Sequence, residues 1–155
     1  MPLVAGIPTW PPHLHVTSLS FTYSSLNLLR IFSMLSMTRA TLQHLKLYFD
    51  AETHLNLQDI AGPPIEFSEL RSLALGFQDP LSQLPFLWRA QLPTLDSLLI
   101  EDIRSRVQQR EPTHNTLLHQ LLHSVDPMDA LFAVLLQVLR ELTLTSLRLV
   151  GLAPR

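Results

Sequence analysis

One pattern recurs along this chain: leucine, two variable residues, leucine, one variable residue and a third leucine. The complete pattern occurs twice, at Leu42, Leu45 and Leu47 and at Leu70, Leu73 and Leu75. Three further units exchange some leucines for other apolar residues: Val16–Leu19–Phe21, Leu95–Leu98–Ile100 and Leu144–Leu147–Leu149. The alternation that ends each unit predicts a β-strand with one buried side. We therefore expect five similar strands.

The spacing of the units indicates what kind of repeat they form. Their first residues are 26, 28, 25 and 49 residues apart, and a period of about 20–29 residues is typical of leucine-rich repeats. We therefore expect an α/β fold: a short, irregular leucine-rich-repeat solenoid, with an open parallel sheet of about five strands and with helices and loops on the convex side. The alternative is a doubly wound sheet of ordinary strand–helix units, which leaves the recurrence unexplained.

The last interval is nearly twice the others and affects the domain organisation. It contains either a degenerate unit near Leu118 and Leu121 or one enlarged crossover, and the helical pattern of the segment favours the crossover. Residues 1–13 contain four prolines, which predict an extended lead-in or linker. Residues 14–152 are then one leucine-rich-repeat-like domain with an enlarged helical insertion near residues 112–141.

Helices are predicted between the strands. Ser24-Ser25 can cap a helix whose apolar stripe comprises four residues: Leu28, Ile31, Phe32 and Leu35. Asp79-Pro80 begins short helical turns that Pro85 divides.

Two other segments differ from this scheme. Asp126-Pro127 begins a longer helix that is apolar on two faces, so it is either sandwiched between other elements or lacks a partner. Residues 51–67 are polar and then broken by prolines, which predicts a loop with at most one helical turn near residues 55–60.

Charge and composition exclude several partners and locations. The formal net charge is −2, and the one local cluster of cations, Arg104, Arg106 and Arg110, lacks the basic stripe of a nucleic-acid-binding protein. The longest apolar run, Ala130–Val138 with Gln137 inside it, is much shorter than the ~20 residues that span a bilayer. We expect neither a nucleic-acid nor a membrane partner. The lack of cysteine and of a signal-peptide pattern favours an intracellular protein, cytoplasmic or nuclear.

No pattern for catalysis or metal binding stands out. His119 and His123 are four residues apart on a predicted helix, the spacing of two metal ligands, but Gln120 stands where a zinc protease has glutamate. We interpret both as surface histidines. The chain lacks the glycine–serine elbow of an α/β hydrolase. We therefore expect no enzyme, no cofactor and no metal site.

Short segments around the repeats resemble a known family. The proline-rich Thr9–Leu14 precedes the first unit, and Phe67–Leu73 and Leu92–Leu98 lead into later ones. These segments resemble the degenerate leucine-rich repeats of fungal F-box-type proteins over roughly residues 9–105. In that family the repeats recognise substrates and a separate N-terminal F-box binds the ubiquitin-ligase adaptor. The resemblance thus implies a recognition part, and the sequence before Val16 has no room for an F-box.

Residues between the core leucines should form columns across a parallel sheet. The expected columns are Ser18, His44, Ser72, Ser97, Ser146; Ser20, Lys46, Ala74, Leu99, Arg148; Thr22, Tyr48, Gly76, Glu101, Val150; and Tyr23, Phe49, Phe77, Asp102, Gly151. Side chains of this kind suit a protein or peptide partner. The candidate interaction residues are Lys46, Tyr48, Glu101, Asp102 and Arg148. The aromatic residues of the last column either anchor the partner or pack in the core.

These observations favour a non-enzymatic protein-interaction module. The resemblance adds the substrate-recognition part of an F-box-type ubiquitin-ligase subunit. The alternative is a truncated or decayed fragment without independent activity. A small hydrolase would need a catalytic triad that the sequence does not indicate.

Overall fold

The computed structural model describes residues 15–22, 28–49, 61–104 and 126–152. They form an α/β fold with three α-helices and one 3₁₀ helix. In chain order the elements are β1 (Ser18–Thr22), α1 (Leu28–Thr38), β2 (His44–Phe49), β3 (Ile65–Glu66), β4 (Ser72–Phe77), the 3₁₀ helix (Pro80–Gln83), α2 (Leu84–Arg89), β5 (Ala90–Gln91), β6 (Ser97–Asp102), α3 (Pro127–Arg140) and β7 (Ser146–Val150).

Five of the described strands form one parallel sheet in the order β1-β2-β4-β6-β7. Neighbours in the sheet therefore follow chain order, without the reversal of strand order that a doubly wound sheet has. The register pairs Leu19 with Leu45, Leu45 with Leu73, Leu73 with Leu98 and Leu98 with Leu147. The predicted parallel sheet and the columns between Ser18 and Val150 are confirmed.

Each strand of the main sheet begins two residues later than the sequence pattern predicts. Leu42, Leu70 and Leu95 are buried but lie before their strands. The reason is a hydrogen-bonding arrangement at the strand entry, where the amides of Gln43 and His44 both donate to the Thr17 carbonyl at 2.8 and 2.9 Å. The same arrangement recurs three times: Arg71 and Ser72 on Gln43, Asp96 and Ser97 on Arg71, and Thr145 and Ser146 on Asp96.

Threonines beside the strand entries tie neighbouring units together. The hydroxyl of Thr41 donates to the Val16 carbonyl at 3.0 Å, and that of Thr94 donates to the Leu70 carbonyl at 3.1 Å. Thr145 does the same to Asp96 at 3.0 Å. Each of these bonds reaches back to the preceding strand unit, so the entry to one strand is positioned by the unit before it.

The core lies on the side of the sheet to which the repeat leucines point. Helix α1 buries the whole predicted stripe: Leu28, Ile31, Phe32 and Leu35. This stripe packs in the same cluster as Leu45, Leu47, Leu73 and Leu75 of the sheet. The predicted helix after the first strand is therefore confirmed from Leu28 onward.

The segment after β4 forms the two short helical pieces that Pro85 predicted. The Asp79 side chain accepts a hydrogen bond from the Leu81 amide at 3.0 Å and so caps the 3₁₀ helix. Helix α2 then begins at Leu84, with Pro85 in its first turn, where a missing amide donor is tolerated.

A small second sheet was not predicted from the sequence. Strands β3 and β5 pair in parallel over two residues each. Next to β5, the Arg89 guanidinium carbon lies 4.1 Å from the centroid of the Phe32 ring, and Arg89 Nε donates to the Pro63 carbonyl at 3.1 Å. This buried arginine thus holds the segment before β3 against α1. The small sheet was not predicted because strands of two residues are too short to show a period-two pattern.

The last unit is covered less well than the others. Asp126 caps α3 by accepting from the Met128 amide at 2.8 Å, as predicted. On the second apolar face of α3, Leu136 is 58% exposed, so the helix is not sandwiched there. In β7, Leu147 and Leu149 are 49% and 50% exposed, although their register partners Leu98 and Ile100 are buried. The expectation that these two leucines face the core as fully as the others was wrong.

Several predictions lie outside the described residues. They concern the lead-in at residues 1–13, the Ser24-Ser25 cap, the turn near residues 55–60 and the helical segment between residues 112 and 125. Within the part of the chain that is described, none of the helices is long and apolar enough to span a bilayer.

Candidate interaction face

The sheet side opposite the core leucines is the candidate interaction surface, and we call it the front face. Strand residues alternate between the two sides of a sheet, so every second residue of the main sheet belongs to this face. Its described members are Ser18, Ser20, Thr22, His44, Lys46, Tyr48, Ser72, Ala74, Gly76, Ser97, Leu99, Glu101, Ser146, Arg148 and Val150. Most of them are small or polar.

The amino-terminal end of the front face is a row of short hydroxyl side chains. Ser18, Ser72, Ser97 and Ser146 occupy matching positions, and His44 stands among them. Their exposure ranges from intermediate to high. Short hydroxyls leave a shallow polar surface and can donate to or accept from a backbone laid over them.

Two cations lie in the next row. Lys46 is half-buried, and its Nζ atom is 4.4 Å from the centroid of the Tyr48 ring. Arg148 is exposed, and among the described residues it has no ion pair. Three strand spacings separate these residues, about 14 Å at ~4.8 Å per strand. Ala74 and Leu99 lie between them.

At the carboxyl end, Tyr48 and Glu101 are joined across an intervening strand. The Tyr48 hydroxyl donates to Glu101 Oε2 at 2.7 Å. The bond passes over Gly76 of β4, where a Cβ atom would be 2.7 Å from Tyr48 Cγ. Both Tyr48 and Glu101 are only 5% exposed. The tyrosine ring therefore lies flat on the glycine and fills the place of its side chain.

Asp102 belongs to the opposite side of the sheet. It occupies the same row as Phe49 and Phe77, both of which are buried in the core. Its carboxylate accepts hydrogen bonds from the Arg104 side chain and from the Arg104 amide. The hydrogen bond from its side chain to Asp102 raises the pKa of the Arg104 guanidinium above its usual value.

The five predicted residues thus fall into three groups. Lys46 and Arg148 lie in one row of the front face and are accessible. Tyr48 and Glu101 lie on the same face but are withdrawn into a buried pair. Asp102 is 8% exposed and does not belong to the face. Phe49 and Phe77 pack in the core, which was the second of the two alternatives for the aromatic residues.

Sequence reasoning did not identify the bond between Tyr48 and Glu101 or the part that Gly76 plays in it. It did place Tyr48, Gly76 and Glu101 in adjacent positions of one column. A tyrosine, a glycine and a carboxylate in a row are the signal that could have revealed the bond, because only the glycine leaves room for the ring to cross.

The described residues contain no group of three or more histidine, aspartate or glutamate side chains that could hold a metal ion. His119 and His123 lie outside the described residues. One buried polar atom in the described residues lacks a hydrogen-bond partner, Oε1 of Gln83, whose Nε2 donates to the Gly76 carbonyl at 2.8 Å. This amide holds the backbone of Gly76 in place and forms no cluster with other polar groups.

Comparison with known proteins identified no relative: no protein-family model, curated protein or solved structure matches the chain.

Proposed function

We propose that this chain is a non-enzymatic protein-interaction module whose front face binds another protein or a peptide. The observation that carries the proposal is the front face itself. Five strands present a continuous surface of short side chains, and its two accessible cations are fixed on regular secondary structure. Rigid strands hold such contacts more accurately than loops do.

The fold is proposed to be a short, irregular leucine-rich-repeat solenoid. Strand order that follows the chain supports this, as does the recurrence of one strand-entry arrangement at four successive strands. In a solenoid each unit contacts its neighbours and leaves one side of the sheet for binding. The front face is that side.

The resemblance to fungal F-box-type proteins supports a more specific role. In this role the front face selects a substrate for ubiquitin transfer, and the protein acts inside the cell, in the cytoplasm or nucleus. If so, silencing the transcript that encodes this chain lowers the ubiquitin conjugates of a partner that binds the front face. Unchanged conjugates would leave an interaction module without the ligase role.

Blocking the front face tests the interaction itself. Ser97 is a half-buried member of the serine row on β6, and Ser97→Trp places a large side chain over this row. Ala133→Trp adds the same ring at an exposed position of α3 and serves as the matched control. Affinity capture followed by quantitative mass spectrometry should find proteins that Ser97→Trp loses and Ala133→Trp keeps. Identical sets for both variants would contradict binding through the front face.

A second candidate, a fragment without independent activity, is favoured by one observation. Leu147 and Leu149 of β7 expose about half of their surface at one end of the sheet, and Leu136 of α3 is exposed as well. A fragment that needs a further partner to fold should unfold gradually. A sharp unfolding transition in urea at low protein concentration, with the same midpoint by fluorescence and circular dichroism, would rule it out.

A further inference from the structure

We infer that the front face takes an acidic, extended segment of its partner, which crosses the strands and pairs its carboxylates with Lys46 and Arg148. This inference rests on the proposed function, since it names the chemistry of the partner at the same surface. It is drawn from the charges of the face, from the way Lys46 is held and from the spacing of the two cations.

The accessible charge of the front face is opposite in sign to that of the whole chain. The formal net charge is −2, yet Lys46, Arg148 and Glu101 are the charged residues among the described members of the face. Glu101 is 5% exposed and accepts the Tyr48 hydroxyl, so its carboxylate is withdrawn from the surface. The accessible charge that the described residues of the front face offer a partner is positive, and complementary charge favours an acidic segment.

Lys46 is held in place before any partner arrives. Its ammonium group lies against the Tyr48 ring, and the ring is fixed by the Glu101 bond and by the close contact with Gly76. A cation held over an aromatic face keeps its N–H donors available on the other side. Because the side chain is already ordered, binding loses less conformational entropy. Tyr48 and Glu101 are therefore positioning residues for Lys46.

The spacing of the cations defines the partner's pattern. The distance of about 14 Å between the two backbones matches about four residues of extended chain at ~3.3 Å each. Residues i and i+4 of an extended segment point to the same side, so acidic residues at these positions reach both cations. The residue between them, at i+2, faces Ala74 and Leu99, where an apolar side chain fits. The expected pattern is acidic, any, apolar, any, acidic.

A direct binding measurement with the full chain tests this inference. The probe is a short fluorescein-labelled peptide with the pattern Glu-Ser-Leu-Ser-Glu, and the matched control peptide has Gln in place of both Glu. Fluorescence anisotropy should show binding of the acidic peptide that weakens as salt is raised. Arg148→Ala and Lys46→Ala should each weaken it by up to about fivefold, the upper end of the range measured for exposed ion pairs.

Three variants separate a specific site from general charge attraction. Arg30→Ala removes an exposed cation of α1 and should leave binding unchanged. Lys46→Arg keeps a cation that can lie over the ring and should retain most of the affinity. Tyr48→Phe removes the hydroxyl that fixes the ring while keeping every charge, and should weaken binding of the acidic peptide. Arg148→Ala should lower the affinity for this peptide by the same factor with or without Tyr48→Phe.

Several results would overturn the inference. Equal binding of the Gln peptide, or equal weakening by Arg30→Ala and Arg148→Ala, excludes a site for paired carboxylates. Tighter binding of a single-stranded oligonucleotide of the same length would assign the surface to nucleic acid. If Ser97→Trp abolishes the capture of some proteins but the acidic peptide does not bind, the inference of an acidic partner is wrong and the proposed function stands. If capture finds no protein that depends on the front face, the proposed function fails as well.

Discussion

At the scale of single residues, a missing side chain organises the carboxyl end of the front face. Gly76 lies between Tyr48 and Glu101, and its lack of a Cβ atom lets the tyrosine ring cross from β2 to β6. The carbonyl of Gly76 also accepts from Gln83. The residue thus links a contact on the front face to the 3₁₀ helix that follows β4.

Gly76→Ala is predicted to lower the free energy of unfolding by about 1–3 kcal/mol, because the added methyl group overlaps the Tyr48 ring. The measurement is urea unfolding followed by circular dichroism. In a Tyr48→Ala background the ring is absent, so the same substitution should be close to neutral. An equal penalty in both backgrounds would mean that the overlap is not its cause.

At this scale the sequence predicted which residues are neighbours across the sheet, but not the conformations of their side chains. Tyr48, Gly76 and Glu101 were placed in one column because a parallel register follows from the repeat spacing. That the ring lies down on the glycine depends on side-chain rotamers and on burial, and the repeat pattern carries information about neither. Asp102 is a different case, because strand alternation already places it in the column of the core residues Phe49 and Phe77.

At the scale of elements, the repeated strand entry accounts for the main difference between prediction and structure. The first leucine of each unit packs in the core, as the pattern requires. It does so from the turn before the strand, because two successive amides share one carbonyl there. Apolar periodicity reports burial, not hydrogen bonding, so it could not locate this boundary.

Two leucines in the same row of the sheet should differ in their contribution to stability. Leu73 of β4 is 1% exposed, whereas Leu147 of β7 is half-exposed. Leu73→Ala is predicted to cost about 2–5 kcal/mol of unfolding free energy, since it leaves a buried cavity. Leu147→Ala should cost about 1 kcal/mol or less. Similar losses in urea unfolding would show that β7 is as well packed as the central strand.

Helix α3 offers a test of its amino-terminal cap. Asp126→Ala removes the acceptor for the Met128 amide and should destabilise the protein by about 1 kcal/mol. Asp126→Asn keeps an acceptor oxygen at the same position and should retain most of the stability. Thermal unfolding of both variants against the wild type is the measurement. Equal losses for the two variants would assign the effect to charge alone.

At the scale of the whole molecule, the sheet has two unlike sides and one weak end. Among the described elements, the helices pack against the side with the repeat leucines. At the β7 end, Leu147 and Leu149 expose apolar surface beside an unpaired strand edge of the described sheet. An apolar strand edge of this kind favours association between chains.

Leu149→Lys is predicted to reduce self-association without lowering stability, because it adds charge to this edge. Ser146→Lys adds the same charge on the front side of β7 and is the matched control. Light scattering over a range of protein concentrations measures the effect. If the two variants behave alike, net charge and not the apolar edge governs association.

The main sheet was predictable at this scale, whereas the partner was not. The repeat spacing predicted the five strands of this sheet, their parallel direction and their order, but not the small sheet of β3 and β5. The burial of Glu101 and the exposure of β7 depend on how side chains and elements pack around the sheet. The exposure of β7 also depends on the enlarged segment between β6 and β7. These are long-range properties that no local pattern encodes.

The spacing of paired strands also sets the order in which the sheet can close during folding. Residues paired between neighbouring strands are 25 to 28 residues apart along most of the sheet but 49 apart between β6 and β7. Closing a loop of twice the length costs about 0.6 kcal/mol more in entropy. The half-exposed leucines of β7 also bury less apolar surface when the strand docks, so they stabilise it less. During folding, the strands of the main sheet from β1 to β6 should therefore pair first, and β7 should pair last. In the folded protein, the amide hydrogens of β7 should exchange with solvent before those of the other strands.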